Sequence, residues 1–327
     1  MKKIASKLLG IIATTACMVI SSPALAEDTI RLGLQSVPTD VLYSAKDWGK
    51  PFGLKTEISN FSSAGDSLKA FLAGRVDVVS GGAARLVTMA AMQPEQFFIV
   101  AANQYGGDRY GLMVAPNATY VTIEDLKGKK IGVVTGSGAH GTLMLYLSNK
   151  KIDPNEFQFV NMKVSDIAAA VNRGVIDAGL AWEPQVAISE VGGTTKRILS
   201  MKGVSESPNF ILVSREYAKS NPEGLIKYIA SLMAMSDFIA KEPAEAGMLI
   251  ASEINKSGIE MNPKAMALAV SRVIVDPKIE DRLISELPPI AEPMIATGRI
   301  KSMPDFKALV NTSFYDKAAL LYKSKAQ

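Results

Sequence analysis

The sequence AFLAGRVDVV (residues 70–79) returns as AVNRGVIDAG (residues 170–179), about a hundred residues further along the chain. In each copy, apolar residues at helical spacing run into a glycine that can end a helix, and an acidic residue and a short apolar strand follow. A second pair, RLGL (31–34) and KIGV (130–133), repeats in the same order at nearly the same distance. This shared order favours an internal repeat over the alternative, chance similarity of a common pattern.

The repeats predict an α/β protein with two lobes, each a mainly parallel sheet flanked by helices. Lobe 1 is expected to comprise residues 27–110 and 208–327, and lobe 2 residues 111–207. The two crossings between the lobes are expected near 108–112 and 204–209, where glycines and a proline can act as hinges. Strands are predicted at 29–34, 55–58, 76–80, 97–103, 111–115, 130–134, 157–160, 177–180 and 209–213.

Helices are predicted between these strands, including one that begins at Thr122, with Asp125 in its first turn, and ends at Gly128. Beyond residue 213 the pattern is helical to the end of the chain, with start signals at Asn221, Asn262 and Pro304. This tail has no strand pattern of its own, so we expect it to pack as helices on lobe 1.

The first 26 residues resemble a cleaved secretory signal peptide. Lysines at positions 2, 3 and 7 precede an apolar stretch at 8–20, and the triplet ALA at 24–26 precedes Glu27. The apolar stretch is shorter than the roughly 20 residues that a membrane helix needs. We therefore expect cleavage after Ala26 and export to the periplasm, with no membrane insertion of the mature chain. A permanent anchor and lipidation at Cys17 are the alternatives.

Composition limits the chemistry of the mature chain. The single cysteine, Cys17, lies in the predicted signal peptide, so no thiolate nucleophile or thiolate metal site is expected. His140 is the only histidine, and a lone histidine does not make a metal site. The net charge of +4 includes three signal lysines, which disfavours a nucleic-acid partner. No cofactor and no catalytic residue are predicted.

Ligands of open α/β sheets bind beyond the carboxyl ends of the strands, where this chain carries polar and small residues. The segment 135–141 (TGSGAHG) follows a strand and opens a helix, and SGGAA at 80–84 has the same arrangement in lobe 1. Backbone N–H groups at such helix starts can bind an anion or a carbonyl, although the same turns can simply join strand to helix. The predicted ligand-binding residues are Gln35, Ser36, Thr39, Ser80, Gly81, Gly82, Ala83, Asn103, Tyr105, Gly136, Ser137, Ala139, His140, Trp182, Glu183 and Asn209.

Beside Tyr105, the further candidates for the cleft are Arg85, Arg109 and Tyr110, although Arg85 is also explained as a solvated helix residue. The chain resembles the periplasmic substrate-binding proteins of ABC transporters for nitrate, taurine and aliphatic sulfonates, including the pyrimidine-binding branch. The resemblance rests on GSGAH at 136–140, the paired Gly-x-x-Asp segments and WEP at 182–184.

The resemblance implies a two-lobed (type II) periplasmic binding protein whose Ser137, Ala139 and His140 line the cleft opposite the 80–84 loop. It implies a receptor, expected to be a monomer, that closes on a small anionic molecule and delivers it to a membrane permease. Ala83 and Ala84 depart from the hydroxyl residues of many sulfonate binders. A neutral pyrimidine ligand, a receptor coupled to a sensor and an enzyme on the same fold remain alternatives.

Overall fold

The computed structural model describes residues 28–61 and 64–325. The predicted signal peptide at 1–26, and Cys17 within it, lie outside these described residues. Among the described residues, no helix is long and apolar enough to cross a membrane.

The first sheet contains five strands in the order β2-β1-β3-β10-β4. Strands β1, β2 and β3 are parallel, and β10 runs antiparallel to its neighbours β3 and β4. The sheet is therefore mainly parallel, with one reversed strand in the fourth position. The bounds are β1 Asp28–Gln35, β2 Leu54–Phe61, β3 Val78–Gly82, β4 Phe97–Gln104 and β10 Asn209–Ser214, with helices α1 Pro38–Ala45, α2 Ala64–Leu72 and α3 Ala83–Met92.

The second sheet repeats this topology in the order β7-β6-β8-β5-β9. Here β5 is the reversed strand in the fourth position, antiparallel to β8 and β9. In each sheet the reversed strand is the one that follows a crossing of the chain between sheets. The bounds are β5 Tyr110–Val114, β6 Lys130–Val133, β7 Gln158–Asn161, β8 Ala178–Trp182 and β9 Lys196–Ser200, with helices α4 Gly138–Lys150, α5 Val164–Asn172 and α6 Gln185–Val191.

Within each lobe, the two repeated sequence segments are joined by a hydrogen bond. The Asp77 carboxylate accepts from the backbone N–H of Arg31 at 2.9 Å, and the Asp177 carboxylate accepts from that of Lys130 at 2.9 Å. The preceding glycines have φ values of 67° at Gly74 and 68° at Gly174. The repeat therefore has a physical meaning, because its acid holds the second strand of each sheet, β1 and β6, in place.

As the sequence predicts, the tail forms helices that pack on lobe 1, and they cover both sides of its sheet. Leu225 and Ile250 share one core with Ile30, whereas Leu287 shares the opposite core with Phe210. Asn221 and Asn262 cap their helices as predicted. The bounds are α7 Arg215–Ser220, α8 Pro222–Lys241, α9 Pro243–Asn255, α10 Pro263–Ser271, α11 Asp281–Ile284, α12 Leu287–Ala296, α13 Phe306–Leu309 and α14 Ser313–Lys325.

The predicted helix at 122–128 is wrong. Only a single 3₁₀ turn forms at Glu124–Leu126. The Asp125 carboxylate accepts from the backbone N–H groups of Val121 and Thr122, both at 2.9 Å, and so closes a turn instead of supporting a longer helix. The lobe boundaries, drawn at residues 110, 111, 207 and 208, stay a prediction.

Candidate functional site

A buried carboxylate, Asp40, organises the loops of lobe 1. It accepts from the Gln35 backbone N–H at 2.9 Å, from Ser80 Oγ at 3.1 Å and from Asn103 Nδ2 at 3.1 Å. These donors lie at or near the carboxyl ends of three strands of the first sheet, β1, β3 and β4. Burial raises the pKa of Asp40, and the hydrogen bonds from Gln35, Asn103 and Ser80 partly offset that rise.

Three predicted site residues, Gln35, Ser80 and Asn103, thus lie together around this acid. Gln35 also donates its side-chain Nε2 to the Ser80 carbonyl at 2.8 Å. Thr39 is buried and donates to Gln104 Oε1 at 3.3 Å, whereas Ser36 is exposed. The sequence places Gln35, Ser80 and Asn103 at strand ends, but it does not show that one acid holds all three in place.

β3 ends at Gly82 and α3 begins at the next residue, so the predicted loop at 80–84 consists of the end of this strand and the first turn of the helix. Gly82 stands at the N-cap position of that helix and has no side chain to bind its free N–H groups. Ala83 donates its N–H to the Pro208 carbonyl at 3.2 Å, and a Cβ built on Gly82 would lie 3.2 Å from Asn209 Oδ1. Gly81, Gly82 and Ala83 therefore lie against the segment at 208–210 that enters β10.

The matching loop of lobe 2 is capped by its own residues. Gly136 has a φ of 77°, and Ser137 Oγ accepts from the His140 N–H at 3.2 Å at the start of α4. His140 Nδ1 accepts from the Gly136 N–H at 3.3 Å, which leaves the proton of the neutral ring on Nε2. Partial burial lowers the pKa of His140, which favours this neutral form. Ala139 is buried.

The starts of α3 and α4 approach the same piece of chain, residues 207–209. A Cβ built on Gly138 would lie 2.8 Å from the Tyr110 hydroxyl and 3.0 Å from Ser207 Oγ. Tyr110 and Ser207 are themselves 2.8 Å apart between oxygens. Since Gly82 lies against Asn209, both predicted helix starts contact one crossing between the sheets.

Arg109 is buried at this crossing, with 7% of its surface exposed. Its Nη2 donates to the Tyr110 hydroxyl at 2.8 Å, to the Ser207 carbonyl and to Asn209 Oδ1 at 3.4 Å. The guanidinium lies 4.8 Å from the centre of the Tyr110 ring. The arginine therefore joins the segment beside α3 to the segment beside α4.

Two predicted site residues, Trp182 at the end of β8 and Glu183 just after it, differ in their burial and in their partners. Trp182 is half-buried and pairs with Tyr110 across β5 and β8. Glu183 is buried, and its oxygens accept from Arg272 Nη1 at 2.9 Å and from the Ala187 N–H at 2.9 Å. Burial raises the pKa of Glu183, and Arg272 acts against that rise. Its carboxylate is therefore already bound to the tail of lobe 1.

The family profile described as NMT1/THI5 like matches residues 41–246, more than half of the chain and both sheets in part. The protein belongs to this NMT1/THI5-like family. The taurine-binding periplasmic protein of Escherichia coli (strain K12) is 27% identical over 218 residues, which span 66% of this chain and 65% of that protein.

Solved structures at lower identity show the fold. The alkanesulfonate-binding protein SsuA of Xanthomonas axonopodis pv. citri, bound to MOPS, matches with a TM-score of 0.70 at 19% identity, covering 87% of this chain and 98% of that one. The desulfurization enzyme DSZB matches with a TM-score of 0.66 at 13% identity, covering 90% and 99%. The predicted two-lobed periplasmic binding protein fold is confirmed for this NMT1/THI5-like protein.

Other polar groups near the site were found only in the structure. Arg272 follows α10 in the tail, far from Glu183 in sequence, and no local pattern marks it as a partner. Tyr105, a predicted site residue, is buried, and its hydroxyl accepts from Arg282 Nη2 at 3.3 Å. Within residues 28–61 and 64–325, no group of three or more His, Cys, Asp or Glu side chains could hold a metal ion.

Proposed function

We propose that this protein is an extracytoplasmic receptor that binds a small organic anion between its lobes and delivers it to an ABC importer. One observation carries the proposal: the glycine-containing helix starts of both lobes, at Gly82 and Gly138, lie against one crossing segment. Helix starts favour negative charge, and small residues there let a ligand approach the backbone. Two of the compared proteins are named for binding taurine and alkanesulfonate, and this supports an anionic ligand.

Closure of the lobes is the proposed working step. A ligand bound to one lobe favours the closed form only through the contacts that the second lobe adds. His140 Nε2–H on lobe 2 and the uncapped start of α3 on lobe 1 would supply such contacts. The two crossings between the sheets would bend as hinges, and a permease would bind the closed form.

The location of the protein is proposed from its predicted signal peptide. We propose that the signal peptide at 1–26 is cleaved after Ala26 and that the mature chain works as a monomer in the periplasm. The periplasmic names of the relatives support this location.

An enzyme on the same fold is the main rival, because DSZB shares the architecture. The two buried carboxylates beside the loops are poor general bases. Asp40 accepts from three protein donors, and Glu183 is paired with Arg272 and the Ala187 N–H. A general base needs a free lone pair within reach of the substrate. This arrangement favours a receptor over acid–base catalysis.

Native mass spectrometry of protein purified without refolding would identify a copurified ligand. A thermal shift screen would then compare taurine, MOPS, nitrate, acetate and a pyrimidine. A ligand at a hundred times its dissociation constant adds about 2.7 kcal/mol to the free energy of unfolding, which gives a visible shift. We expect stabilisation by at least one anion and none by the pyrimidine.

Chemical turnover of the bound molecule would overturn the receptor assignment. Stabilisation by the pyrimidine alone would replace the anion with a neutral heterocycle. Binding to a membrane sensor in place of a permease would leave the ligand class intact but change the partner.

A further inference from the structure

Arg109 is a buried cation without an acidic partner. Within the described residues 28–61 and 64–325, no carboxylate oxygen lies within the 4.0 Å ion-pair distance of its guanidinium. Its Nε atom is buried and has no hydrogen-bond acceptor. Burying a charge is costly unless the charge is paired and fully hydrogen-bonded. The burial of Arg109 without an acidic partner therefore needs a physical explanation.

Other shielded arginines near the crossings are paired. The Arg272 side chain, 12% exposed, binds the carboxylates of Glu183 and Glu190. The Arg197 side chain, 14% exposed, binds Asp108. The acceptors of Arg109 are all neutral: a carbonyl, a phenol and an amide oxygen. Of these three shielded arginines near the crossings, Arg109 is the one whose acceptors carry no negative charge.

The position of Arg109 supplies a second, independent observation. Asn209, one of its acceptors, lies against Gly82 at the uncapped start of the ten-residue helix α3. Tyr110, another acceptor, lies against Gly138 at the start of the thirteen-residue helix α4. An anion at this point would meet the unpaired Nε–H of a guanidinium and the positive ends of two helices.

We infer that Arg109 supplies the counter-charge for the anionic group of the ligand, and this inference rests on the proposed function. The acceptor that completes its hydrogen bonds, at the unpaired Nε–H, would be an oxygen of a sulfonate or carboxylate group, because a hydrogen bond between two charged groups is stronger than one between neutral groups. Since Arg109 bridges the segments beside both loops, the charge of the ligand would act at the hinge itself.

A purely structural role is the competing explanation, since Arg109 also holds the Ser207 carbonyl. Arg215 provides a matched control. It donates to the carbonyls of Phe97 and Pro94 and stacks on the Phe98 ring, with its guanidinium 4.1 Å from the ring centre. It therefore shares neutral partners with Arg109 but lies where β4 begins, away from both helix starts.

The test is calorimetric titration of the mature protein with taurine and MOPS, and with an uncharged sulfone as the neutral probe. For Arg109→Gln we expect a loss of affinity for the anions of about 100-fold, as for a buried charge-assisted hydrogen bond. The preference for the anions over the sulfone should fall with it. Arg109→Lys should lose about tenfold, because an ammonium keeps the charge but does not reproduce the Nε–H donor. Arg215→Gln should bind like the wild type.

Each outcome supports or overturns the inference. An Arg109→Gln protein that binds an anion with wild-type affinity, or that loses anion and sulfone binding equally, would overturn it. If Arg109→Gln does not fold, wild-type anion affinity in Arg109→Lys would do the same. A wild-type protein that binds no anion at all would instead refute the proposed function, and this result is distinct from both.

Discussion

Each lobe has one buried carboxylate beside the proposed cleft, and the two are held differently. Asp40 of lobe 1 is bound by three neutral donors from its own lobe. Glu183 of lobe 2 is bound by Arg272, which belongs to the helical tail packed on lobe 1. The loops of lobe 1 are thus internally supported, whereas one loop of lobe 2 depends on the other lobe.

This difference gives the tail a role in the relation between the lobes. Arg272 also binds Glu190 at 2.8 Å, and Ile188 and Val191 of α6 pack against the core of lobe 1. Helix α6, together with Glu183 just before it, therefore makes both charged and apolar contacts with the tail. A change in this contact would shift the residues at the proposed cleft, because Glu183 directly follows Trp182.

The largest effect is expected from Arg272→Met. This change leaves Glu183, whose side chain is 1% exposed, as an unpaired buried carboxylate, which should lower the free energy of unfolding by about 3 kcal/mol. Urea denaturation would measure the loss. The control is Lys256→Met, which removes an exposed partner of Glu253 and should change stability by less than about 0.5 kcal/mol. Equal, small losses would show that the lobes do not depend on this ion pair.

A smaller loss is expected from Asp40→Asn. The amide puts an N–H₂ group where a carboxylate oxygen accepts hydrogen bonds, so one of the three donors meets another donor. We expect a loss of about 2 kcal/mol in urea denaturation, the cost of one unsatisfied buried group. Glu260→Gln, at an exposed carboxylate, should have no effect. A stable Asp40→Asn protein would mean that lobe 1 is not organised around this acid.

A third variant tests the cap of lobe 2. Ser137→Ala removes the oxygen that accepts from the His140 N–H, which should cost about 1 kcal/mol. Ser137→Asp keeps an acceptor and should restore most of that loss in thermal denaturation. If alanine and aspartate at this position were equally destabilising, the cap would not be what stabilises the loop.

The smallest effect concerns pH. Partial burial lowers the pKa of His140, so the folded protein disfavours its charged form. The unfolded chain therefore binds a proton first, and stability is lost as the pH falls through about 6.5, the ordinary histidine value. Between about pH 7.5 and pH 5.5, His140→Asn should lose less stability than the wild type. Identical losses in the two proteins would show that His140 is freely solvated.

The sequence predicts most of the fold because its signals are local and repeated. The helix caps at Asn221 and Asn262 and the two glycine stops need only neighbouring residues. Strand β9 was not predicted, because all five of its residues are half-buried and show no alternation. The turn at Asp125 was misassigned because its capping pattern also fits the start of a longer helix.

The site is predicted less completely, for a physical reason. Strand ends can be located from the sequence, so the sequence places Gln35, Ser80 and Asn103 at one edge of a sheet. The partners that hold or compete with such residues come from distant segments, as Arg272 does for Glu183. No local pattern carries that information, and the roles of the predicted site residues in binding stay predictions.

The most direct test is a crystal structure of the protein with an anion that it binds in solution. We predict one anion that contacts the loop at 80–84 of lobe 1 and the loop at 135–141 of lobe 2 at the same time. An anion that contacts only one lobe, or that binds away from both helix starts, would contradict the proposal that the two lobes close on a shared ligand.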